Sequence, residues 1–106
     1  MGRQFFTYEV RKPGIKAKAE ITRIQTRRAV EIFGDAAKAP DQLLIEVYGN
    51  INGWEGRIAT IPKPASKYLS PKSSMAKFIQ RYKQPPEVGL KVHAVTNAKG
   101  YWTIVL

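Results

Sequence analysis

The chain has 106 residues and a mass of 11.9 kDa, enough for one domain over residues 1–106 with a modest core. It contains no cysteine, which excludes disulfides, thiolate metal sites and cysteine nucleophiles. Lys and Arg number 18 against 8 Asp and Glu, a net charge of +10; self-repulsion of that size weakens a compact state, so an anionic partner accounts for it better than folding does.

The N-terminal stretch Phe5 to Arg11 alternates as a strand and stops at Pro13-Gly14. Residues 17–33 admit two readings. Ile21, Ile24, Arg28 and Ile32 have helical spacing, but the β-branched content and poor cap favour a long, bent or bulged strand. Gly34 to Gln42, with Pro40-Asp41, reads as a loop. Leu43 to Tyr48 is a short apolar strand ending at Gly49, and Asn52-Gly53 is a hairpin signal. Trp54 to Ile61 resumes strand composition until Pro62-Lys63-Pro64 stops it.

A helix follows. Ser70 is placed as its N-cap and Pro71 as its first residue. Met75, Phe78, Ile79 and Tyr82 form one buried stripe, with Lys77 and Arg81 on another face, and Pro85-Pro86 ends the helix. Leu90, Val92 and Ala94 then alternate with Lys91, His93 and Val95 in a strand. Asn97 to Gly100 turns the chain, and Tyr101 to Leu106 is a last β-prone run.

This order of strands, with the single helix between the third and fourth core strands, resembles the OB-fold, a partly open Greek-key barrel that binds oligonucleotides and oligosaccharides. The closing stretches Pro86 to Val92 and Lys99 to Leu106 resemble the final hairpin of small OB and SH3-like barrels. The style is also similar to small basic DNA-binding proteins of archaea and their viruses. The resemblance implies a mostly β fold with one helix: a small OB-fold-like barrel with an extra N-terminal strand. In that family the loop between the first two strands often grips the ligand. Here Gly34 to Gln42 carries Asp35 and Asp41 against a lone Lys38, which shifts the expected contacts to the Lys63–Lys72 linker and the Lys99 turn.

Barrel strands send alternate side chains in and out. Leu43, Ile45 and Val47 form the expected inward set of one strand, leaving Leu44, Glu46 and Tyr48 outside. Arg57 outside sends Trp54, Gly56 and Ile58 in. Trp102, Ile104 and Leu106 face in, while Tyr101 and Thr103 face out. The expected outer face holds Tyr48, Arg57 and Tyr101, with Lys91 nearby. Rings among cations suit unpaired bases, whose π-faces are exposed. The competing reading makes the tyrosines ordinary half-buried sheet residues. Trp102 belongs to the core; Trp54, beside Gly53 and Gly56, is expected to be the more exposed tryptophan.

Two further sets of cations complete the candidate binding residues. Lys63, Lys67 and Tyr68 in the linker would clamp a bound strand or merely connect two elements. Arg23 and Arg27, with Arg28 beside them, would meet phosphate or guard a solvated edge.

Charge is uneven: net +5 over residues 1–31, −2 over 32–61 and +7 over 62–106. Each phosphate that such cations neutralise releases a counterion, which ties this composition to nucleic acid. No segment approaches the roughly 20 apolar residues that span a bilayer, and the first residues lack a secretory h-region. The expected setting is therefore cytoplasmic, either nucleoid-associated or intracellular viral, without a membrane partner. His93 reads as a sheet residue. Asp35, Asp41, Glu46 and Glu55 match no metal-ligand spacing, and there is no phosphate-binding glycine loop. No catalysis, cofactor or metal is expected. The leading reading is a sequence-tolerant binder of single-stranded DNA or RNA. Its alternatives are a binder of duplex DNA or structured RNA, of the chromatin or ribosome-associated kind, and a protein–protein adaptor or virion component. A homodimer through the final strand is an open option.

Overall fold

In the computed structural model, which describes residues 11–64 and 70–106, five antiparallel strands form one sheet in the order β3-β2-β1-β4-β5. They are β1 (Lys16–Arg28), β2 (Leu43–Ile51), β3 (Trp54–Pro62), β4 (Lys91–Thr96) and β5 (Trp102–Ile104). The outer strands β3 and β5 come together without a hydrogen-bonded ladder, so the sheet curls into a nearly closed barrel of OB-fold-like form. The helix expected between the third and fourth strands is α2 (Ser74–Tyr82). The expected strand at Phe5 to Arg11 lies outside the described residues up to residue 10.

The strand reading of residues 17–33 holds as far as Arg28. There β1 makes its last pair with β2, Arg28 opposite Leu43, and the chain leaves the sheet as a short helix α1 (Ala29–Phe33) and a single 3-10 turn over Gly34–Ala36. The chain returning along residues 40–42 pins this helix: Ala29 and Val30 donate their N–H groups to the carbonyls of Gln42 and Pro40. The expected single helix and plain loop are therefore corrected at this corner.

Two bulges set which side chains enter the core. In β1 the register shifts between Ile21 and Arg23, so both Ile21 and Ile24 turn inward although they stand three apart. In β3, Val47 faces Ala59 while Tyr48 faces Arg57, so Ile58 is the extra residue. Ile58 and Ile61, again three apart, both reach the core. Ile21, Val47, Ile58, Ile61 and Val92 are fully buried there. Helix α2 supplies Phe78 and Met75 to the same cluster, with Ile79 and Tyr82 packed against it as the stripe required.

The start of α2 differs from expectation. Its N-cap is Ser73, whose hydroxyl accepts from the Ala76 N–H at 3.1 Å, while Ser70 begins a preceding turn by accepting from Ser73 N–H at 3.0 Å. Pro71 thus sits in that turn, not in the helix. Tyr82 at the other end ties α2 to the sheet: its hydroxyl accepts from the His93 N–H at 3.2 Å and donates to the Val105 carbonyl at 2.8 Å.

The β2–β3 hairpin turns at Asn52 and Gly53, both with positive φ (52° and 92°), as the Asn-Gly pair required. Two expected core residues are corrected. Leu43 is 42% exposed because it opens β2 at the barrel rim, and Leu106 is 44% exposed because β5 ends at Ile104. Leu44, expected outside, is buried on the outer face; its register partners are Arg27 and Pro62.

Candidate nucleic-acid interface

The outer surface of β1–β2–β3 follows from the pairing. Arg23 lies opposite Tyr48, Gln25 opposite Glu46, and Arg27 opposite Leu44; on the other side of β2, Tyr48 lies opposite Arg57 and Glu46 opposite Thr60. Three arginines from two strands thus surround one tyrosine and one glutamate. The Arg23 guanidinium stands 4.0 Å from the centroid of the Tyr48 ring, a stacked cation–π contact. One face of Tyr48 is therefore already covered, and the outermost plane of the stack is the exposed guanidinium.

Glu46 is the centre of the cluster. It faces outward as its alternation required, yet it is 0% exposed because its neighbours close over it. Its carboxylate accepts from Arg27 Nε at 2.7 Å and Nη2 at 3.2 Å, from Arg57 Nη1 at 2.7 Å and from Gln25 Nε2 at 2.8 Å, with the Tyr48 hydroxyl at 3.4 Å. The bond from Arg27, opposed by burial and reinforced by Gln25 and Arg57, holds its pKa down to about 2. The same bond raises that of Arg27. Two cations share one buried anion, so the triad keeps one net positive charge. Nη1 of Arg27 and Nη2 of Arg57 make no bond to the carboxylate, and these groups remain as donors.

This cluster opens into a groove of about 930 Å³ that crosses the seam between β3 and β5. Its walls include Arg27, Tyr48 and Arg57 on one side and Tyr101, Trp102 and Thr103 on the other. Trp54 and Trp102 both line it while packing on the core, and the Arg11 guanidinium lies 5.2 Å from the Trp54 ring and 5.4 Å from that of Trp102. Trp54 is the less buried of the two, as expected, and folds over Gly56, where a Cβ would come within 2.7 Å of the indole. Glu55 also lines the groove and accepts from the Thr22 hydroxyl at 2.7 Å. That carboxylate disfavours anions at the turn end and leaves the Arg27–Arg57 end for them.

The structure thus brings together Tyr48, Arg57, Arg23, Arg27, Trp54 and Tyr101. It separates three other expected residues from them. Lys91 is exposed on β4 opposite Glu20, away from the groove. Lys63 follows β3 and Lys99 sits in the Asn97–Gly100 turn; both are exposed, and neither lines the groove. Lys67 and Tyr68 lie outside the described residues. Arg28 faces away, paired with Glu31 at 3.3 Å and Asp41 at 3.7 Å.

Sequence reasoning placed Glu46 outside and gave it no role. Its signal was a lone carboxylate within an apolar run, Leu-Leu-Ile-Glu-Val-Tyr, in a strongly basic chain. Among the described residues no group of His, Asp or Glu is arranged to hold a metal ion, and no helix is long and apolar enough to cross a membrane. Comparison of the chain with family models, with curated proteins and with solved structures finds no match.

Proposed function

We propose that the chain binds single-stranded nucleic acid across the outer face of β1–β2–β3, without strong sequence preference. The observation that carries this reading is the Arg23–Tyr48 stack beside a groove that Tyr48 lines together with Arg27 and Arg57. An unpaired base presents a bare π-face, and a planar guanidinium backed by a ring offers it a flat cationic platform. Arg27 and Arg57 flank that platform with N–H donors suited to phosphate oxygens. A duplex hides its base faces and would use the cations alone. A symmetric pair of chains through β5 would require that strand to leave β3 across the seam, so one chain per binding site is the expected stoichiometry.

The test is titration of oligo-dT and of a duplex of equal length at two salt concentrations, followed by tryptophan fluorescence. Tighter dT binding is expected. Arg23→Ala and Tyr48→Ala should each weaken it roughly 5- to 150-fold, the range of one lost base stack. The double variant should lose less than the product of the two, because both residues serve one platform. Equal affinity for duplex, or dT binding untouched by Tyr48→Ala, would overturn the reading. Absence of any binding at low salt would return the chain to the adaptor class.

A further inference from the structure

We infer that a second surface, formed by β1, β4 and the end of α2, takes the phosphodiester backbone of nucleic acid without contacting bases. This inference rests on the reading that the partner is nucleic acid. It is carried by a separate recess of about 410 Å³, lined by Lys16, Lys18, Arg81 and His93 with Ala17, Ala94 and Val105.

The topology builds this recess. The first half of β1 pairs with β4 and the second half with β2, so one strand serves two faces. Alternation sends Lys16 and Lys18 to the same side, and Lys18 lies directly opposite His93. Arg81 comes from the last turn of α2, next to Tyr82, whose hydroxyl is bonded to the backbone of His93 and Val105. The arginine is thereby held beside the two lysines.

Charge accounting distinguishes this face from the first. Arg27, Arg28 and Arg57 each have a carboxylate partner. The side chains of Lys16, Lys18, Arg81 and His93 have no hydrogen-bond or ion-pair partner among the described residues. Among the described residues no acidic side chain lines the recess; Glu20 stands beyond it, opposite Lys91. Clustered like charges on paired strands are unfavourable unless something neutralises them. Among the described residues no Tyr, Trp or Phe lines the recess either, so these residues offer phosphate contacts without a stacking platform. The partner it fits is the sugar–phosphate chain itself.

The experiment compares oligo-dT with an abasic deoxyribose-phosphate oligomer of the same length, across a salt series, on the full chain. The variants are Lys16→Ala/Lys18→Ala/Arg81→Ala and Arg23→Ala/Tyr48→Ala. All three residues of the first set are exposed, so the fold is retained and far-UV circular dichroism verifies it. The triple variant should lower the slope of log K against log salt for the abasic oligomer by about 2, since each phosphate contact on a single strand contributes roughly 0.7. The wild type should bring two differently labelled dT oligomers into energy-transfer range, and the triple variant should not. Arg23→Ala/Tyr48→Ala should weaken dT by a larger factor than the abasic oligomer, because the abasic chain loses only the Arg23 cation and has nothing to stack. An unchanged abasic slope in the triple variant, with wild-type dT binding intact, would overturn this inference alone. A wild type that binds neither oligomer would overturn the parent reading as well.

Discussion

Replacing Glu46 with Gln tests what the buried carboxylate does. The side chain keeps its size, but the amide has one acceptor oxygen for donors from Arg27, Arg57 and Gln25, and its own NH₂ must face a guanidinium. The pKa of Glu46 falls from 4.5 to about 2 in the folded chain. At about 1.4 kcal/mol per unit, ionisation of this group favours the folded state by about 3 kcal/mol. That figure is an upper bound, because Arg27 and Arg57 are 37% and 39% exposed and water screens the pairs.

The sign follows from the depressed pKa. The contribution is complete above about pH 4.5 and is lost as pH falls through about 2. Urea unfolding of wild type and Glu46→Gln at pH 7, 4 and 2 measures it. The variant should be less stable by up to about 3 kcal/mol at pH 7, and most of the gap should be gone at pH 2, where about half of the wild-type carboxyl is protonated. A gap that stays constant from pH 7 to pH 2, or a variant as stable as wild type at pH 7, would refute the role assigned to the charge.

Two packing predictions follow from the fold. In Gly49→Ala the new Cβ would lie 2.6 Å from Ile58 Cδ1 and 3.1 Å from the Glu20 carbonyl oxygen, so about 1–3 kcal/mol of stability should be lost by thermal or urea unfolding. Ser73→Ala should cost about 1 kcal/mol through loss of the α2 cap, whereas Ser70→Ala should cost less. The reverse order in urea unfolding would move the helix start back by a turn.

The strands of the C-terminal half were legible because alternation and turn residues agree there: Val92 and Ala94 go in, Lys91 and His93 go out, and Asn97 turns the chain by accepting from the Lys99 and Tyr101 N–H groups. The N-terminal half was ambiguous for a physical reason. The bulge between Ile21 and Arg23 puts core isoleucines three apart, which is also the spacing of a helix. Ser70 preceded Pro71 and met the rule for a cap, but Ser73 met it too, and only the backbone decides between them. Of the candidate interface, Tyr48, Arg57 and Tyr101 were found by alternation in β2, β3 and the last β-prone run, and Arg23 and Arg27 as a basic cluster in what is β1. Lys91 was misplaced because alternation says which side of a strand a residue takes and nothing about which strands are neighbours. The unspent lysines of β1 escaped notice for the same reason: Lys16 and Lys18 meet His93 and Arg81 only through the β1–β4 pairing and the docking of α2.

The carboxylate beneath Arg27 and Arg57 has a consequence for how tightly each face would hold the proposed strand. A long side chain that freezes when a ligand arrives gives up rotamer entropy worth roughly 0.5–1.5 kcal/mol. Around Glu46 that ordering is complete before any strand approaches. Lys16, Lys18 and Arg81 have no such anchor among the described residues and would surrender their freedom at the moment of contact. One side of the barrel would therefore hold a strand in register, while the other lets it slide.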